Sequence, residues 1–276
     1  MSAKLIAYFK MSRLSNLPTV WTNGMAGLIM AGKIEAGVPE FVLLVALSFF
    51  YTAGMFLNDA CDAQIDAVER NERPIPSGLI GRKEAFGAAF SLLGIANVSL
   101  FFAAWLSGRE TLLPMTFGAL LSAGIVVYDF CHKGNPIGPF LMAFCRFMVY
   151  LVSASLVAPL QERVFMAGGI LASYLIGLSY TARQEKLSRL KNGWPLFFLA
   201  APFLFTADRI WPFSEQTVLF FVFFAWVAYA LALLAKHRIS KAVGHMIAVI
   251  SLWDALLMDC AIGWGSTSAM ALCAFL

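Results

Sequence analysis

Asn58, Asp59, Asp62 and Asp66 lie within nine residues, in the stretch Asn58-Asp59-Ala60-Cys61-Asp62-Ala63-Gln64-Ile65-Asp66. On a helix Asn58, Asp62 and Asp66 are spaced i, i+4, i+8, and Asp59 lies three residues before Asp62, so all four face roughly one way. Like charges at this spacing repel unless a cation neutralises them. A hard divalent ion does this well, and Mg²⁺ takes oxygen ligands, few carboxylates and a substrate phosphate. Arg70 and Arg73 follow within one loop, and Pro74 and Pro76 constrain the backbone around Arg73. Arginines so placed suit a phosphate group. The plainer reading, a solvated helix end rich in acids, conflicts with Asn58 being attached to an apolar run, where polar groups are expensive and usually functional.

A second polar group follows a later apolar run, in Ser179-Tyr180-Thr181-Ala182-Arg183-Gln184-Glu185-Lys186. Thr181 and Glu185 are four apart and can share a helical face, with Tyr180 and Gln184 on the next one. Arg183 adds a fixed positive charge. Arg146 stands alone in Phe144-Cys145-Arg146-Phe147, and an arginine at such depth needs a partner or a wet cavity. Asp254 and Asp259 lie in the last apolar stretch; Asp254 is a candidate partner for a cation or for an acceptor molecule, and His245 reads as structural.

These residues must be held by elements in lipid. Of the 276 residues 60% are hydrophobic and 13% charged, and mean hydropathy is +0.77. A soluble surface needs about 25% charged residues, so an integral membrane protein is expected. The net charge of +4 does not suggest a nucleic-acid partner. The five cysteines show no metal-ligand spacing and read as small buried hydrophobes outside any disulfide framework. The N-terminus lacks a long apolar stretch with a cleavage site, so no signal peptide is expected. A helix needs about 20 apolar residues to cross the hydrocarbon core. Nine candidate spans follow, at roughly 17–32, 39–60, 84–107, 111–130, 137–159, 164–182, 194–207, 215–235 and 239–264, forming one polytopic domain over 1–276. Placing their ends alternately leaves only Lys33, Arg109, Arg163 and Arg209 on one side, with Arg146 inside a span and the remaining Lys and Arg on the other. The positive-inside rule then puts the N-terminus and both polar groups in the cytoplasm.

The run NDxxDxxxD followed by RPIPSG closely resembles the UbiA superfamily of intramembrane prenyltransferases. The resemblance reaches most of the chain: Arg13-Leu14-Ser15-Asn16 before the first span and Asn23 within it match the usual start of such chains. Tyr128 and Lys133 resemble a tyrosine–lysine pair that contacts diphosphate. It implies an all-α integral membrane fold of nine transmembrane helices around a central cavity. It also implies two acidic motifs that hold Mg²⁺ against an allylic diphosphate. The chain departs from the family at the second motif, where DxxxD or a close variant is usual and Glu185 is the one acid present. The YxARQE pattern resembles the EboC-type branch of bacterial gene clusters, for which a cyclitol or sugar-like acceptor stands beside an aromatic one.

The expected function is Mg²⁺-dependent transfer of a prenyl group from a polyprenyl diphosphate to a small polar acceptor at the lipid bilayer, in a bacterial inner membrane. The alternative is a non-catalytic isoprenoid-binding or export component with a degenerate second motif. Asn58, Asp62, Asp66 and Glu185 are the expected metal ligands. Arg13, Asn23, Arg73, Tyr128, Lys133, Arg146, Tyr180 and Arg183 are expected to contact substrate. Asp59, Asp66 and Glu185 are the carboxylates considered for accepting a proton from the acceptor.

Overall fold

The computed structural model describes residues 2–184, 193–206 and 215–262, with 204–206 and 215–217 as backbone only. Every regular element among them is helical: α1 (Ala3–Ser12), α2 (Leu17–Met30), α3 (Val38–Glu69), α4 (Arg82–Leu106), α5 (Leu112–Cys131), α6 (Gly138–Ser155), α7 (Glu162–Ala182), α8 (Leu196–Leu199), α9 (Ala201–Thr206), α10 (Glu215–Ala235) and α11 (Ile239–Ile262). Proline marks several starts, with Pro18, Pro39 and Pro139 in the first turns of α2, α3 and α6. A first-turn N–H has no intrahelical partner, so its absence costs nothing there.

Seven helices, α3 to α7, α10 and α11, are long and apolar enough to cross a membrane. The expectation of nine is met only in part among the described residues. The first expected span is the 14-residue α2, about 21 Å long at 1.5 Å per residue, which is short of a core about 30 Å thick. The seventh is divided between α8 and α9. Conversely, the second expected span continues to Glu69, giving 32 residues. That is about 48 Å, so the last turns of α3, which carry the acidic motif, extend beyond a bilayer core.

Helix contacts are made by small residues, as lipid surroundings require, because apolar tails offer no hydrophobic gain on helix association. Ala46, Ala53 and Ala60 repeat every seven residues along α3, and Ala89, Ala96 and Ala103 do so along α4. All six are fully buried, and α3–α4 is the most extensive helix pair among the described residues. The α2 helix packs between α6 and α11. A Cβ at Gly27 would lie 2.8 Å from the Tyr150 carbonyl oxygen of α6, so glycine there permits backbone-to-backbone contact. Large apolar side chains such as Phe41, Val98, Trp105 and Phe224 face outward. The bundle encloses a cavity of about 270 Å³, walled mainly by apolar residues including Leu47, Phe50, Ile125, Leu175 and Ile250.

Candidate active site

The acidic run of α3 does not act as one face. It divides into two sets, because neighbouring elements bring cations from different directions. Asp59 and Asp66 turn to the loop after the helix, where Arg73 Nη1 donates to Asp66 Oδ2 at 2.6 Å and to Asp59 Oδ1 at 3.3 Å. That loop is tied to itself: Ser77 N donates to Arg73 O at 2.9 Å and Ile80 N to Pro74 O at 3.1 Å, with Gly78 at φ 78°. Arg13 reaches the same Asp59 Oδ1 at 2.8 Å. Its backbone adopts the left-handed conformation, φ 46°, that ends α1, which is uncommon for a residue with a Cβ. Tyr51 helps hold this turn by donating its hydroxyl to Arg13 O at 3.1 Å.

Asn58 and Asp62 form the other set, one helical turn apart, and face the end of α5. Lys133 Nζ lies 3.0 Å from Asp62 Oδ2, and His132 Nε2 lies 3.6 Å from Asp62 Oδ1. Burial alone would lower the His132 imidazole, but the bond and charge of Asp62 outweigh it and hold its pKa above the ordinary value. Tyr128 stacks on this imidazole at 4.8 Å between ring centroids. Asn58 Nδ2 donates to Asp129 Oδ1 at 3.1 Å. The other oxygen of Asp129, Oδ2, is buried with no hydrogen-bond partner among the described residues.

Deeper in the bundle a third polar set joins α2, α6 and α11. Arg146 Nη1 donates to Asn23 Oδ1 at 2.6 Å and to Thr19 O at 3.2 Å, and its Nη2 donates to Thr19 Oγ1 at 3.0 Å. Asn23 Nδ2 in turn donates to Asp254 Oδ2 at 2.7 Å. Asp254 is fully buried and also accepts from Thr22 Oγ1 at 2.6 Å and from the Tyr150 hydroxyl. The partner for a cation that Asp254 offers is therefore indirect, through an amide.

Arg13, Tyr51, Tyr128, Asp129 and Arg146 line the cavity, placing two guanidinium groups and one carboxylate on an otherwise mostly apolar wall. Of the expected substrate contacts, Arg13, Tyr128 and Arg146 are thus at the cavity, whereas Asn23 is fully buried behind Arg146. Arg73 and Lys133 are engaged with the carboxylates of α3. Tyr180 lies apart, donating to Pro136 O at 2.6 Å and resting against Trp194. Arg183 donates to His132 O at 3.1 Å, which ties the end of α7 to the residues that face Asp62. Glu185 lies outside the described residues. Sequence reasoning missed Asp129, His132 and Tyr150. Asp129 carried a usable signal, an acid at the end of an apolar span; Tyr150 in an apolar helix carried none.

No group of three or more His, Cys, Asp and Glu side chains that could hold a metal ion occurs among the described residues. The donors present do fit a hard ion of the Mg²⁺ type in another way. Asn58 and Asp62 carry side-chain oxygens one helical turn apart on α3, and the Asn58 amide meets Asp129, whose Oδ2 is unsatisfied among the described residues. Mg²⁺ is commonly held by only one or two carboxylates, with substrate phosphate and water completing the shell.

An all-helical integral membrane protein, with cations and carboxylates gathered at an apolar cavity, is what fold and site define together. The UbiA prenyltransferase family profile matches residues 19–259, and the chain belongs to that family. Relatives include the digeranylgeranylglyceryl phosphate synthases of Methanosarcina mazei, 30% identical over 67% of this chain and 65% of the relative, and of Methanoregula boonei, 46% identical over 46% and 43%. The corresponding protein of Methanocaldococcus jannaschii is 34% identical over 36% of this chain and 35% of its own length. The matches thus span about a third to two thirds of the length of these curated relatives. A solved structure from work on digeranylgeranylglyceryl phosphate synthase in membranes superimposes with a TM-score of 0.65 at 20% identity, covering 95% of this chain and all of that one. The fold is therefore of the UbiA type.

Proposed function

We propose that the protein transfers a prenyl group from a polyprenyl diphosphate to a small polar acceptor within the membrane. The observation that carries this reading is the apolar cavity whose polar lining, Arg13, Tyr128, Asp129 and Arg146, adjoins the Asn58–Asp62 pair. Asn58 and Asp62 would hold Mg²⁺, and a bound Mg²⁺ would neutralise charge developing on the departing diphosphate. Lys133, Arg73 and Arg13 supply further positive charge on the same side. Asp59 and Asp66, each bound to arginine, serve in this reading to orient those cations. Glu185 is then the remaining candidate for taking the acceptor proton. The apolar wall keeps water from the reacting allylic carbon. A cavity of about 270 Å³ is smaller than the usual range for drug-sized ligands, about 300–1,000 Å³, so it would hold the reacting end of a long donor while the tail runs toward lipid.

The acceptor classes expected from the sequence were aromatic and cyclitol or sugar-like. The names of the relatives add a third, a glyceryl phosphate. Arg146 supports an anionic acceptor, because its hydrogen-bond partners among the described residues are the neutral groups of Thr19 and Asn23. We further propose that α2 and the 194–206 segment also cross the membrane, giving nine spans. The charge asymmetry supports a cytoplasmic N-terminus and active site in a prokaryotic cytoplasmic membrane. The sequence leads to the expectation of a bacterial membrane, whereas these relatives are archaeal.

The test is pyrophosphate release by purified protein in nanodiscs with geranylgeranyl diphosphate and Mg²⁺, adding phenolic, cyclitol or glyceryl phosphate acceptors in separate arms. Release that depends on one acceptor class establishes a transferase and names its acceptor. Tight Mg²⁺-dependent binding of the diphosphate without release in any arm would replace this reading with that of an isoprenoid-binding component.

A further inference from the structure

Asp129 is the only carboxylate among the described residues lining the cavity. It sits in the last turn of α5 with 4% of its surface exposed. Burying a carboxylate oxygen without a partner is costly, and native proteins rarely tolerate it without a reason. Here one oxygen is satisfied by Asn58 Nδ2 at 3.1 Å and the other, Oδ2, has no hydrogen-bond partner among the described residues. Two cations close to the site are directed elsewhere. Lys133 lies against Asp62, and His132 directs Nε2 to Asp62 while its Nδ1 lies near the carbonyls of Tyr128 and Asp129.

The family's second acidic motif is reduced to one acid, Glu185, which lies outside the described residues. Residues 179–184 carry no acid; Thr181 bonds the Gly177 carbonyl at 2.8 Å, and Arg183 bonds the His132 carbonyl. We infer that Asp129 supplies a carboxylate from a different helix, forming with Asn58 and Asp62 a three-oxygen site for a divalent cation at the cavity wall. The inference rests on the prenyl-transfer reading only in taking Asn58 and Asp62 as metal ligands. Its physical basis is complementarity. A hard divalent cation accepts one or two carboxylates and an amide oxygen from protein and leaves room for phosphate. The α3–α5 contact brings side chains of that donor set together, joining Asn58 to Asp129 and leaving Asp129 Oδ2 removed from water.

The experiment is a Mn²⁺ titration followed by electron paramagnetic resonance on full-length protein in nanodiscs. It uses Mn²⁺ alone and Mn²⁺ with inorganic pyrophosphate, so that binding is read without turnover. Asp129→Asn retains an acceptor for the Asn58 amide and should weaken Mn²⁺ binding by about tenfold or more, with the melting temperature in chelator close to wild type. Asp62→Asn should weaken it at least as much. Binding lost in Asp62→Asn and unchanged in Asp129→Asn would overturn the role of Asp129 and leave the α3 site standing. Binding unchanged in both would overturn the cation reading of the α3 motif as well. Should Asp129→Asn not fold, Asp129→Ser decides: weakened Mn²⁺ binding in the folded protein supports the role of Asp129, and unchanged binding overturns it.

Discussion

Arg146 and Asp254 are coupled without touching: Asn23 stands between them, accepting from the guanidinium at 2.6 Å through Oδ1 and donating to the carboxylate at 2.7 Å through Nδ2. One amide thereby links α6 to α11 through α2, and it holds a guanidinium at the cavity wall in a fixed orientation. Asn23→Leu removes both bonds at once while keeping side-chain volume similar. Breaking such a buried charged network costs about 3–5 kcal/mol, so a clear drop in melting temperature is expected in detergent. A melting curve matching wild type would show that Asn23 does not hold the network.

Asp62 is the carboxylate at which α3 meets Lys133 and His132. Asp62→Ala should abolish Mg²⁺-dependent pyrophosphate release, read by coupled assay at saturating donor. An active Asp62→Ala protein would overturn the assignment of the α3 motif to donor activation. Glu185→Gln should cost less, and wild-type release there would remove Glu185 from the site.

Arg73 spans two carboxylates of unequal dependence on it. Asp59 also has Arg13, whereas Arg73 is the one salt-bridge partner of Asp66 among the described residues. A double-mutant cycle on stability should therefore give a larger coupling for Arg73 with Asp66 than with Asp59, within the range of about 0.5–3 kcal/mol for contacting groups. Equal couplings, or the reverse order, would mean that the loop is positioned by its prolines alone.

Gly27 is needed for the approach of α2 to α6. In Gly27→Ala the new Cβ would meet backbone atoms of Tyr150, the oxygen at 2.8 Å and Cα at 3.1 Å, and backbone yields less readily than a side-chain tip. Overpacking of this kind costs about 1–3 kcal/mol. The same change at Gly94, where nothing lies within 4 Å, should be neutral or slightly stabilising. Thermal unfolding of the two variants side by side checks the contrast.

His132 gives a pH dependence with a definite sign. Its folded-state pKa is raised above 6.5, because Asp62 prevails over burial and over the charge of Lys133. The pair therefore stabilises fully below the ordinary imidazole pKa, and that contribution is lost as pH rises through the higher folded-state value. In metal-free protein, an imidazole titration by nuclear magnetic resonance should show Asp62→Asn lowering the His132 pKa. An unmoved titration would remove Asp62 as the cause.

The α3 motif was readable because its spacing and its attachment to an apolar run are local properties. The direction each acid takes was not. Spacing alone groups Asn58, Asp59, Asp62 and Asp66 on one face, yet the cations that divide them come from Arg13, Arg73 and Lys133, which lie up to 71 residues away in the chain, the separation also seen between Asn58 and Asp129. The number of full-length spans was legible only in part, because apolar composition does not fix where a helix stops: it runs past the end of α2 and across the division between α8 and α9. Arg146 announced itself as a charge at depth, but Asn23, Thr19 and Tyr150 as its surroundings could not be read from apolar helices.

By itself the sequence determined the solvent, the helical class and the family, since hydropathy, span length and the NDxxDxxxD–RPIPSG run are contiguous along the chain. Tertiary structure decided which oxygen meets which cation, that Asp129 joins the site, and that Asn23 lies behind the cavity wall. Those facts depend on contacts between helices far apart in sequence, and in lipid such contacts are set by small-residue packing and polar satisfaction, which leave no periodic trace in any one segment.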